Sequence, residues 1–190
     1  RAIMDDCEEL VRALARAVCG EEAISVGERR IDLARPWERI TVRDAFLRET
    51  GIDFDTISDQ SALLRAARAR GYDVPDQESF EEIFHRIFLT EIEPRLGREK
   101  PTILYDYPIE LGALARAKQD APRYAERFEL YIAGIELANA FGELTDAAEQ
   151  RRRLEEELKL RRRLKRPALP IDEDFLAALS HVPPSGGIAL

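Results

Sequence analysis

The stretch from Arg127 to Asp146, RFELYIAGIELANAFGELTD, constrains what this chain can be more than any other part of it. Aromatic and β-branched residues make Phe128–Leu137 read as a strand. Yet the stretch carries three carboxylates, Glu129, Glu136 and Glu143, at a spacing of seven. Glu136 lies in an almost wholly apolar run, and a bare buried carboxylate is costly unless something pairs with it. Neighbouring carboxylates also repel and raise each other's pKa. A divalent cation or an ammonium ligand relieves both problems, and carboxylates that bridge Mg²⁺ to nucleotide phosphates are a common arrangement. On a helix the same spacing would line the three along one solvated, idle face. On a strand, i and i+7 point to opposite faces. Convergence then needs a bulge or a strong twist, and Gly134 is the natural bulge site.

The rest of the chain supplies helices. Ile3, Cys7, Leu10, Val11, Leu14 and Val18 follow the helical period, and Gly20 ends that helix. An extended, Arg-rich stretch runs from Ile24 to Ile40. Thr41 caps a short helix over Val42–Thr50, closed by Gly51, and Ser61–Arg70 and Glu78–Ile92 read as two more. Thr102–Tyr107 is a short strand stopped by Pro108. Asp146 to Lys165 forms a long polar helix with Leu154, Leu158 and Leu164 on its inner edge, and Ile171–Leu179 forms the last. A Gly-rich turn then enters a strand at Ile188-Ala189-Leu190.

Composition excludes several functions. The 190 residues are enough for one domain with a core. A net charge of -8 does not suit non-specific DNA coating, and no apolar run is long enough for a transmembrane helix. Only His85 and His181 are present, which excludes a His-rich zinc site, and no Walker A or dinucleotide-binding glycine loop occurs. Cys7 and Cys19 fall on one helix roughly 18 Å apart, so they read as free thiols in a reducing compartment, and no signal peptide is visible. A cytoplasmic location is expected. The opening at Arg1, without an initiating Met, suggests a piece of something longer.

The Arg127–Asp146 segment resembles the active-site strand of class II lysyl-tRNA synthetases, whose pattern runs R-F-E-x-x-x-x-G-x-E-x-x-N-G-F-x-E-L-x-D. Arg127, Phe128, Glu129, Gly134, Glu136, Asn139, Phe141, Glu143, Leu144 and Asp146 match it. Pro101-Thr102 through Pro108, Pro36-Trp37-x-Arg39 and Gly51-Ile52-Asp53-Phe54 extend the likeness upstream, and Gly187-Ile188-Ala189-Leu190 looks like the start of motif 3. The resemblance implies an α+β fold, an antiparallel sheet flanked by helices: residues 1–190 as a single, truncated synthetase-like catalytic domain, lacking motifs 1 and 2 and the end of motif 3. It implies a ligase that forms an aminoacyl-adenylate, with ATP and Mg²⁺ as cofactors and a homodimeric parent. Glu129 and Glu136 would hold the metal and ATP, with the backbone near Leu137 at the nucleotide. Asn139 and Glu143 would face the amino acid, and a carboxylate at Glu143 would pair with a side-chain ammonium. The phosphate-binding arginines of motifs 2 and 3 would lie outside the chain, so the piece alone is expected to be a poor catalyst.

Three details resemble the shorter elongation factor P–(R)-β-lysine ligases more than the synthetases: Ile135 where synthetases have Arg, Ala189 where they have Gly, and the wording of residues 134–139. The expected substrate is therefore lysine or β-lysine, with elongation factor P as acceptor; the alternative is tRNA-Lys. A non-catalytic synthetase-like binding module is a third reading. Ala140 departs from the Gly usual at its position in both families and would be strained if φ there were positive.

Elsewhere, Glu149 to Arg166 carries nine basic and four acidic residues. It reads either as a solvated helix with internal ion pairs or as a docking patch for an acidic protein or a tRNA backbone. Trp37, Tyr105 and Tyr107 read as packing residues, and His85 beside Phe84 as structural.

Overall fold

The computed structural model describes residues 1–112 and 114–190. A five-stranded sheet runs in the order β3-β4-β5-β6-β7: β3 Glu38–Thr41, β4 Thr102–Pro108, β5 Tyr124–Ile132, β6 Ile135–Gly142 and β7 Gly186–Ala189. β3 is parallel to β4, and every other pairing is antiparallel. A separate hairpin, β1 Ala23–Val26 and β2 Arg29–Asp32, fills much of the stretch expected to be simply extended.

Helices cover both faces. On one face α1 (Ala2–Cys19) and the β1–β2 hairpin pack with Trp37 against Ile103, Phe128, Leu130 and Ala138. Trp37 is buried and donates its indole N–H to the Leu33 carbonyl at 3.1 Å, a packing role. Cys7 is buried and Cys19 exposed, both as free thiols. The other face carries α2 (Val42–Thr50), α3 (Gln60–Ala69) and α4 (Phe80–Ile87) around Phe46, Phe54 and Phe84, packed on Leu104, Tyr107 and Tyr131.

Local chemistry sets these helices. Thr41 caps α2 through the Asp44 amide, and Ser79 with Glu82 forms a reciprocal capping box at α4. Past Ile87 the helix relaxes into a π-turn over Phe88–Ile92, within the span expected to be one helix. α5 (Ala147–Arg163) starts at its Asp146 cap and leads to α6 (Glu173–Leu179). Leu154 and Leu158 are half-buried, whereas Leu164 is exposed, because the helix ends before it. Among the described residues no helix is long and apolar enough to cross a membrane.

The largest departure from expectation falls where the carboxylates lie. Phe128–Leu137 is not one strand. The chain reverses at Ala133-Gly134, both at positive φ (57° and 81°), as a two-residue hairpin demands. Gly134 is thus a turn residue and not a bulge. The bulge sits three residues later: Tyr131 pairs with Glu136 and Leu130 with Ala138, so Leu137 has no partner in the ladder. Ala140 pairs with Phe128 as ordinary buried strand, outside the positive-φ positions, so its extra methyl carries no strain.

Candidate functional site

The hairpin and the bulge together gather the carboxylates. The turn folds β6 back on β5 so that Glu136, opposite Tyr131, shares a face with Glu129. Past the bulge at Leu137, Asn139 stands opposite Glu129 and Phe141 opposite Arg127. Residues 139, 141 and 143 therefore return to the face that Glu136 occupies. Two separate irregularities bring three glutamates of seven-residue spacing to one side of the sheet.

Glu129 is the buried member, 5% exposed. Its Oε1 accepts from Arg127 Nη2 at 2.6 Å and from Asn139 Nδ2 at 3.4 Å. Its Oε2 accepts from the Tyr131 hydroxyl at 2.6 Å and from the Tyr107 hydroxyl. Tyr107 reaches it because the β4–β5 register shifts between Tyr105 and Tyr107, where Asp106 takes φ 59°. The Arg127 guanidinium lies 4.5 Å from the Tyr107 ring and 5.6 Å from that of Phe141, and donates to the Leu111 carbonyl at 2.8 Å. Burial, then the Glu129 charge, pushes both tyrosine hydroxyls far above their usual pKa, so they stay neutral donors.

Glu136 does not meet the expectation of burial: it is exposed, one pair in from the hairpin turn and next to the Leu137 bulge. Partial desolvation, and then Glu129, still raise its pKa. Glu93, which follows the π-turn, is raised by the same two causes in the same order. Glu93, Glu129, Glu136, Asn139, Tyr131 and His85 line one cleft of about 200 Å³. Among the described residues, the Glu93 side chain has no hydrogen-bond or ion-pair partner.

The whole chain, residues 1–190, matches the family described as tRNA synthetases class II (D, K and N). The chain belongs to this family. Among curated class II relatives, the lysine–tRNA ligase of Staphylococcus saprophyticus is 38% identical over 190 residues, and that of Moorella thermoacetica 38% over 189. That of Thermosynechococcus vestitus is 40% identical over 185. These alignments take in 99%, 99% and 96% of this chain but only 38%, 38% and 36% of the relatives. The chain therefore spans under two-fifths of their length.

Within this class II domain the anticipated site residues divide into two sets. Glu129, Glu136 and Asn139 line the cleft together. Leu137, Glu143 and Ala189 do not line it. Leu137 is exposed at the bulge, and Ala189 pairs with Asn139 across β6–β7. Glu143 follows the end of β6, where its amide donates to the Ser185 carbonyl at 3.0 Å. Its carboxylate lies over Gly187: a Cβ there would stand 2.3 Å from Glu143 Oε1, so a larger residue would make the carboxylate swing aside.

Four functional neighbours escaped the sequence reading: Arg127 as an ion-pair partner, and Tyr107, Tyr131 and Glu93. Arg127, Glu129 and Tyr131 at period two were a usable signal, since such residues share a strand face. Tyr107 gave none, because its facing depends on the backbone at Asp106. His85 lines the cleft rather than packing wholly in the core.

Proposed function

We propose that this class II domain activates a lysine-type amino acid with ATP as an aminoacyl-adenylate. The observation that carries the reading is the delivery of Glu129, Glu136 and Glu143 to one sheet face by the hairpin and the Leu137 bulge. Glu129 and Glu136 are hard oxygen donors of the kind Mg²⁺ takes, and their mutual repulsion is relieved by a cation. Among the described residues no three metal-binding side chains form a ready-made cage. That suits Mg²⁺, which keeps water and phosphate ligands and uses one or two carboxylates. When bound there, it would supply charge neutralisation on the nucleotide phosphates.

The chain's own groups do the positioning. Leu137, left out of the ladder, offers an unpaired backbone unit beside the nucleotide. Asn139 and Glu143 face the amino acid, and Glu143 pairs with its side-chain ammonium by a charge-assisted bond, which rejects neutral side chains. Ala189, across from Asn139, sets the pocket wall. The substrate carboxylate attacks the α-phosphate and pyrophosphate leaves; the acyl group then passes to its acceptor and AMP leaves. Catalysis of this kind is positioning and charge stabilisation without a covalent enzyme intermediate.

The relatives are named lysine–tRNA ligases, which supports tRNA-Lys as the acceptor. A second reading has elongation factor P as acceptor and β-lysine as substrate; Ile135 and Ala189 favour it. Amino-acid-dependent ATP–pyrophosphate exchange by the complete protein tests both. Exchange with L-lysine, lost in Glu143→Gln, supports the synthetase reading. A preference for (R)-β-lysine supports the second, and no exchange with either removes the activation chemistry altogether.

A further inference from the structure

Glu129 has its full complement of hydrogen-bond donors. A carboxylate offers about four lone-pair positions, and Arg127, Asn139, Tyr107 and Tyr131 each direct one donor at it. None is left for a metal ion. One donor has to go, and the four are not equivalent.

The two tyrosines are 2% and 1% exposed, and both belong to the core beneath the sheet. Withdrawing either hydroxyl would strand a polar group in an apolar setting. The Asn139 contact is long, at 3.4 Å, and its release alone would leave a guanidinium 2.6 Å from the oxygen the metal must use. Two cations on one carboxylate oxygen repel. Arg127 can withdraw more readily, because its bond to Glu129 is one of several anchors. Nη1 on the Leu111 carbonyl and the rings of Tyr107 and Phe141 hold the side chain after Nη2 lets go.

We propose that Arg127 is a resident counter-cation: it neutralises buried Glu129 in the metal-free site, and a divalent ion binds only by displacing it from that carboxylate. This deepens the metal-binding reading above and rests on it. The pair is buried on both sides, with side chains 17% and 7% exposed, so solvent screens the competition little. Arg127 is thus a positioning residue that sets the threshold for metal entry.

The test is Mn²⁺ binding to the complete protein, read by the electron paramagnetic resonance of free Mn²⁺. Arg127→Gln removes the competing charge and should bind Mn²⁺ more tightly, by about 5- to 150-fold, the range of coupling between linked sites. Unchanged or weaker binding overturns the proposal. A crystal of the unaltered protein soaked in Mn²⁺ gives a second reading that does not depend on how the variant folds. There the Arg127–Glu129 contact should be open, with the metal on Glu129; an intact contact beside a bound metal overturns the proposal. If the unaltered protein binds no Mn²⁺, with or without ATP, the metal-site reading fails and the proposal with it. If it binds Mn²⁺ and Arg127→Gln binds no more tightly, only the role of Arg127 falls.

Discussion

Tyr107 donates its hydroxyl to Glu129 from the neighbouring strand, and it faces that carboxylate because the β4–β5 register shifts at Asp106. The bond is buried and charge-assisted. Tyr107→Phe removes the donor and keeps the ring, so the loss should be about 1.5–3 kcal/mol of folding stability. Urea denaturation of the two proteins measures it. A loss under about 0.5 kcal/mol, the scatter of neutral surface changes, would mean that water replaces the hydroxyl at no cost.

Gly97 and Gly20 form a matched pair for testing a close backbone approach. Both have positive φ, 68° and 78°. A Cβ on Gly20 meets nothing within 4 Å, whereas one on Gly97 would stand 2.5 Å from the Tyr131 carbonyl oxygen. Gly20→Ala should cost only the left-handed backbone penalty, about 1–2 kcal/mol. Gly97→Ala adds a clash with β5 and should cost clearly more. Thermal melts showing equal losses would place the β5 backbone farther from Gly97 than the structure has it.

Glu149 ties the first turn of α5 to its own arginines. Hydrogen bonds from Arg152, then Arg153, lower its pKa to about 2. A carboxyl with a depressed folded-state pKa stabilises the fold above its unfolded value and loses that contribution as pH falls through the folded one. Glu149→Gln should therefore cost about 0.5–1 kcal/mol at pH 7, as a partly exposed ion pair does. The difference should narrow below the ordinary carboxylate range and close near pH 2. Stability curves of both proteins against pH check it, and a difference that persists at pH 2 would assign the loss to packing.

Where side-chain pattern alone decides, the sequence was a good guide. Thr41 and Gly51 mark helix ends through capping and left-handed geometry, which are local properties. Trp37 and the phenylalanine stripe of α4 mark core, because burial follows hydrophobicity. The strand resemblance named three residues that line the cleft, Glu129, Glu136 and Asn139, whereas Leu137, Glu143 and Ala189 fall outside it. Reading failed where a single backbone torsion changes the facing of everything after it. Ala133 carries no signal of a turn, since it takes a positive φ that its side chain disfavours. Glu136 looked buried among apolar neighbours, but Ile135 to Leu137 beside the hairpin turn are all exposed. Glu93 could not be placed at all, because its approach to Glu129 runs through α4 and the π-turn.

The ion pairs of helix α5 fit the solvated-helix reading. Arg151 pairs with Glu173, Arg152 with Glu149 and Glu156, Arg153 with Glu149 and Arg161 with Glu157, as a solvated helix would. Arg162, Arg163, Lys165 and Arg166 are exposed beyond them, at the helix end where cations complement the dipole.

Leu137 is an extra residue in an otherwise regular hairpin, and that has a consequence for how the segment tolerates change. Removing it would let Glu136, Ala138 and Asn139 follow one another opposite Tyr131, Leu130 and Glu129, with every facing kept. The fold should survive the deletion, while the unpaired backbone unit proposed to meet the nucleotide would vanish. ATP affinity, measured by calorimetry beside a Leu137→Val control, should fall in the deletion and hold in the control. The position is therefore permissive in its letter and strict in its presence: the gap, not the substitution, is the lesion.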